Sequence, residues 1–68
     1  MGFLDISYVH EGMWLCEKRT GTFVPAMSDR IRFGTKLYRV IHRELTLSDD
    51  PWLSSNDHME VHLEEIKL

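Results

Sequence analysis

The sequence predicts a mostly β domain: a small antiparallel five-strand meander that curls into an open barrel of the SH3-like or OB-like kind. Three observations carry that expectation. Apolar and polar residues alternate with period two over residues 3–10, 30–33, 36–45 and 58–68, the spacing of a strand with one buried face. Turn-forming pairs, Glu11-Gly12 and Gly34-Thr35, separate some of these runs. A chain of 68 residues is also too short for a two-sheet sandwich, so a single curled sheet is the economical way to bury an apolar face.

Residues 3–10 set Leu4, Ile6 and Tyr8 against Asp5, Ser7 and Val9, a half-buried strand. After the Glu11-Gly12 turn, residues 13–18 form a second strand, with Met13 and Leu15 on one face and Trp14 and Cys16 on the other. Arg19-Thr20-Gly21-Thr22 supplies the next turn. Residues 23–26 are extended but contain Pro25, which has no N–H for a ladder, so they belong at a sheet edge or at the start of a strand.

Gly34-Thr35 suits a type II′ hairpin turn, because glycine takes positive φ at its first central position. That turn pairs Phe33 with Lys36, Arg32 with Leu37, Ile31 with Tyr38 and Arg30 with Arg39. One face then carries Ile31, Phe33, Tyr38, Val40 and His42 as core, and the other carries Arg30, Arg32, Arg39 and Arg43 beside Leu37, Ile41 and Leu45. Residues 46–57 hold two turn-rich stretches around Trp52-Leu53 and read as a loop long enough to be functional. Residues 58–68 fit both a strand and a helix behind a Ser54/Asp57 capping box. Strand is preferred, since pairing with residues 36–45 brings Glu60 and Glu64 near Arg39 and Arg43, whereas a helix sets two like charges four apart.

Composition narrows the class. One domain of this size has a thin stability margin, and its single cysteine, Cys16, excludes an intrachain disulfide. With 43% apolar residues and seven aromatic side chains (two Trp, two Tyr and three Phe), the chain can fill a core and still show an apolar patch, so a homo-oligomer is expected. A net charge of −3 argues against bulk electrostatic binding to nucleic acid. The charge is unevenly spread: residues 30–43 hold five of the eight bases and no acid, while residues 49–65 hold six acids and no Lys or Arg. The longest apolar run, residues 13–16, is far short of the ~20 residues of a membrane helix. Residues 1–12 lack a secretory pattern, and Ile6 stands where a myristoylation motif wants Ser or Thr. A whole gene product beginning at Met1, in the reducing cytoplasm, is therefore expected.

The chemistry-bearing residues point away from catalysis. His58 and His62 share a strand face but lie roughly 13 Å apart, too far for one ion, so neither a metal nor a cofactor is expected. Cys16 lies among Trp14, Leu15 and Glu17, an apolar and acidic setting opposite to what a reactive thiolate needs. Neighbouring carboxylates such as Glu64 and Glu65 point apart on a strand and read as solvated surface.

The segment FVPAMSDRIRFGTKLYRV, residues 23–40, resembles a pattern of small, mostly uncharacterised β-barrel proteins of bacteria and phages: Val-Pro, a Gly-Asp turn, a short strand, then Tyr-Arg-Val. Ser28 stands here in place of the Gly. The resemblance implies the fold and carries no functional residues.

The feature with most functional content is the cationic hairpin. Arg30 opposite Arg39 is unfavourable unless an anion lies beside them, and arginine forks suit carboxylates and phosphates. The leading expectation is a non-enzymatic binding module acting through protein contacts, as a phage or bacterial accessory or inhibitory factor. Its binding residues are Arg30, Arg32, Arg39, His42, Arg43 and Trp52, with Leu37, Ile41 and Leu45 as an interface to a protein partner or a second copy. The alternative is an oligomer that sequesters a small anionic ligand such as a nucleotide through Arg30, Arg32, Arg39, His42 and Arg43. A small metal-dependent hydrolase using the histidines is the third possibility.

Overall fold

Turn chemistry decides where the strands begin and end. In the computed structural model, which describes residues 4–20, 24–47 and 57–67, the strands are β1 (Leu4–His10), β2 (Met13–Thr20), β3 (Arg30–Phe33), β4 (Lys36–Thr46) and β5 (His58–Ile66). Glu11 and Gly12 both take positive φ, 50° and 76°, the pattern of the type I′ turn whose twist matches a hairpin. Gly34 has φ 65° while Thr35 does not turn positive, as the II′ turn requires. Residues 26–29 form a tighter device: the Asp29 N–H donates to the Ala26 carbonyl at 3.1 Å, and Asp29 Oδ2 accepts the Ala26 N–H at 2.9 Å. Ser28 is the third residue of that turn and sits at φ 71°, the left-handed corner of a type II turn where glycine is preferred.

The strands make one mixed five-strand sheet in the order β2-β1-β5-β4-β3, curled into a half-barrel. The mostly β open barrel is the architecture that alternation predicts, but the strands do not form an all-antiparallel meander. β5 lies between β1 and β4, parallel to β1, while the other three pairings are antiparallel. The physical reason is burial. Met59, Val61 and Leu63 of β5 are 7%, 0% and 3% exposed, and a row so completely covered needs a strand on each side.

The core is Ile6, Tyr38, Val40, Met59, Val61 and Leu63, with Leu4, Tyr8, Leu15 and Ile31 packed against it. The His10 ring meets Tyr38 edge to face at 5.2 Å, and its Nδ1–H donates to the Leu63 carbonyl at 3.1 Å. The β3–β4 register is the one the turn predicts, from Phe33 opposite Lys36 to Arg30 opposite Arg39. Phe33, expected in the core, is 41% exposed at the sheet edge. Of residues 23–26, Val24 to Ala26 are irregular rather than strand, and Pro25 is fully buried. Past them the chain follows β4, with the Ser28 N–H on the Val40 carbonyl and the Val40 N–H on the Asp29 carbonyl, each at 2.9 Å.

Two bulges reassign faces. In β2 the register passes from Tyr8–Cys16 to Val9–Trp14, leaving Leu15 as the extra residue. Cys16 therefore shares the concave face with Tyr8, and Trp14 the convex face with Val9, correcting the expectation that Trp14 and Cys16 lie together. In β4 the register passes from Val40–Leu63 to His42–His62, leaving Ile41 as the extra residue. Beyond that bulge every side chain changes face. Arg43 and Leu45 lie opposite Val61 and Met59 on the concave side, while His42 and Glu44 lie opposite His62 and Glu60 on the convex side. Trp52 and the loop that contains it lie outside the described residues. Among the described residues no helix is long and apolar enough to cross a membrane.

Leu63→Ala should lower the unfolding free energy by about 2–5 kcal/mol, while Leu45→Ala, at a site 51% exposed, should cost under about 1 kcal/mol. Urea denaturation of the two variants checks the ranking. Ser28→Val should cost about 1–2 kcal/mol because a β-branched residue resists positive φ, whereas Ser28→Gly should leave stability unchanged or raised.

Candidate functional site

The hairpin places Arg30, Arg39 and Glu64 side by side across β3, β4 and β5 on the convex face. The anion that an Arg–Arg opposition requires is supplied by the chain itself: Arg39 Nη2 reaches Glu64 Oε2 at 3.3 Å. Both side chains are about half exposed, at 49% and 54%, so the pair is worth a few tenths of a kcal/mol. Lys36 Nζ lies 4.0 Å from Glu65 Oε1. Arg43 is not in this row. The Ile41 bulge turns it to the concave face, where its Nη1 donates to the Pro25 carbonyl at 2.9 Å and ties down the segment before β3.

The predicted site is thus split. Arg30, Arg32 and Arg39 remain together, His42 sits farther along the convex face, and Arg43 serves the backbone. The predicted apolar interface divides in the same way, with Leu37 half-buried beside the arginines, Ile41 exposed at the bulge and Leu45 exposed on the concave face. Glu60, expected beside Arg39 or Arg43, stands opposite Glu44 and accepts from His62 Nε2 at 2.6 Å.

A different site emerges where the described residues leave the barrel wall incomplete. β2 and β3 are the two edges of the sheet, and residues of both line one cavity of about 200 Å³. Its floor is apolar, formed by Tyr8, Leu15, Ile31, Phe33 and Leu63, with Cys16 beside them and Lys18 and Arg32 as the charged members of the lining. Burial pushes the Tyr8 hydroxyl pKa up, with a smaller contribution from the Cys16 thiol nearby. Alternation alone cannot reveal this mouth, because it requires knowing that β2 and β3 are both edges. A second, more open cavity of about 330 Å³ lies at the hairpin end, where Arg32, Lys36 and Lys67 meet Glu65.

The convex face carries further titratable groups. Ser7 Oγ and His58 Nε2 are 3.1 Å apart, with Glu17 Oε1 at 3.9 Å from His58 Nδ1. The His42 and His62 rings meet at 5.3 Å between centroids. Sequence reasoning tested His58 with His62 and missed His42 with His62. The signal was present as His-x-Glu over residues 42–44 and Glu-x-His over residues 60–62, but it becomes legible only once the two strands are aligned. At the start of β1, Asp5 receives a two-pronged contact from Arg19, Nε to Oδ1 at 2.8 Å and Nη2 to Oδ2 at 3.4 Å. The Arg19 hydrogen bond holds the Asp5 carboxyl below its ordinary 3.8, aided by the charge of the same guanidinium.

Compared with known proteins, the chain matches no family model, no curated protein and no solved structure.

An NMR titration of the Asp5 carboxyl should give a midpoint below 3.8 that returns toward that value in Arg19→Gln. Because the folded pKa is depressed, the stabilisation is present above the unfolded value and is lost as pH falls through the folded one. Asp5→Asn should accordingly flatten the acid limb of a stability-versus-pH curve.

Proposed function

We propose that this domain is a non-enzymatic binding module that acts through protein contacts, and that the partner docks at the mouth between β2 and β3. The single observation that carries this reading is the meeting of both sheet edges at one apolar cavity rimmed by Lys18 and Arg32. Free edges offer unpaired backbone groups to an extended segment, and the pockets beside them take its alternate side chains. With no carboxylate among the described lining residues, these cations favour acidic residues flanking the apolar ones in that segment. The segment belongs to another protein or to a second copy of this chain. A cytoplasmic setting is supported by the one unpaired cysteine. A role as a bacterial or phage accessory or inhibitory factor is supported by the resemblance of residues 23–40 alone.

A second reading, the binding of a small anion such as a nucleotide, is favoured by the cluster of Arg32, Lys36 and Lys67 at the hairpin end. A nucleotide panel that raises the melting temperature of the wild type, but not of Lys36→Glu, would support it.

Selection of a displayed random-peptide library on the intact domain tests the first reading. Enriched peptides should carry apolar residues with acidic flanks, and should lose about tenfold or more in affinity to Phe33→Asp or Lys18→Glu while Arg39→Ala leaves binding unchanged. Binding that survives Phe33→Asp would overturn the mouth as the site. Sedimentation of the same variants separates the two kinds of partner, since a dimer that Phe33→Asp dissociates identifies the second copy.

A further inference from the structure

The mouth has a counterpart on the same molecule. At the tip of the β1–β2 hairpin, Met13 and Trp14 are 69% and 64% exposed, two of the three most exposed large apolar side chains among the described residues. The Leu15 bulge is the local cause. It puts Trp14 opposite Val9 on the convex face, away from the core, and β2 is an edge strand with a neighbour on one side only. Residues 11–17, EGMWLCE, hold two acids and no base. An apolar pair bracketed by Glu11 and Glu17 is the pattern favoured by a mouth that is apolar inside and rimmed by Lys18 and Arg32.

Size points the same way. A hollow of about 200 Å³ is smaller than the roughly 300–1,000 Å³ of a small-molecule site, and it suits one large side chain. Tryptophan is favoured as such an anchor, because its rigid ring covers a large area at little cost in side-chain entropy. The tip cannot fill the mouth of its own chain. Met13 and Trp14 are pinned opposite His10 and Val9 by the β1–β2 ladder, and the next residues, Leu15 and Cys16, already line the cavity. Knob and hollow can meet only between two molecules.

Resting on the reading of the mouth as a docking site, we propose that its partner is a second copy of this chain, and that Trp14 of each copy seats in the mouth of the other. Knob and hollow share the edge strand β2, so one two-fold axis beside that strand satisfies both contacts and closes the assembly as a dimer. The contact runs tip to mouth and not edge to edge. Glu11 and Glu17 of one copy thereby approach Lys18 and Arg32 of the other. Phe33, 41% exposed at the mouth, gains from the incoming indole the cover that its own chain does not supply.

Sedimentation equilibrium of the full chain in reducing buffer should show a dimer that Trp14→Ser and Phe33→Asp each weaken about tenfold or more, while Trp52→Ala leaves it unchanged. An equimolar mixture of Trp14→Ser and Phe33→Asp should associate more tightly than either variant alone, because the first keeps its mouth and the second its knob. Two misfolded variants could not complement each other in this way. In wild type carrying 5-fluorotryptophan, the fluorine signal of Trp14 should shift with protein concentration, and Phe33→Asp should hold it at its dilute position. A wild type that stays monomeric up to about 1 mM, or a dimer kept in Trp14→Ser, overturns this pairing. The mouth itself fails as a docking site only on the separate finding that library peptides bind Phe33→Asp as well as wild type.

Discussion

β5 is hydrogen-bonded on both flanks, parallel to β1 and antiparallel to β4, and its inward residues Met59, Val61 and Leu63 form the deepest row of the core. Each local hairpin, β1–β2 and β3–β4, has only one apolar face to cover. Neither is stable alone. β5 supplies the surface that both share, and through it the positions of the two sheet edges are settled. The cost is topological, because β1 and β5 are some fifty residues apart in the chain and their pairing must close a long loop before the core forms. Substitutions along the inner face of β5 thus act on the whole sheet and not on one hairpin.

The two bulges are where the fold turns into chemistry. Leu15 and Ile41 each insert one residue, and each insertion sends the rest of its strand to the opposite face. In β2 this puts Cys16 at the apolar mouth and Trp14 on the outside. In β4 it takes Arg43 out of the cationic row, uses it to hold the Pro25 carbonyl, and aligns His42 with His62. Charge is consequently divided among places with different duties. Arg39 is balanced by Glu64, Arg43 is structural, and Arg32 with Lys18 rims the unclosed wall.

An unclosed wall is also a hazard, since free strand edges invite indiscriminate pairing. Here the edges are charged. β2 carries Glu17, Lys18 and Arg19, and β3 carries Arg30 and Arg32, while β3 is only four residues long. Such edges discourage pairing with a copy of the same sign and favour a complementary acidic segment. On the proposed reading the apolar floor would provide the binding surface and the charged rim the selection.

Strand positions, the turns at Glu11-Gly12 and Gly34-Thr35 and the β3–β4 register could be read from the residues because their causes are local: period-two alternation, and the need for positive φ at Gly12 and Gly34. The left-handed corner at Ser28 has no glycine to mark it in the sequence. That a carboxylate of β5 would lie beside Arg39 was legible from charge, but that it is Glu64 and not Glu60 was not. Insertion of β5 between β1 and β4, the mouth between β2 and β3, and the histidine match were not legible. An alternating segment says which of its residues share a face but not which strand lies beside it, and a single bulge residue looks in sequence like any other apolar residue. Those features arise when distant strands compete to bury the same row, a choice settled by the packed sheet as a whole.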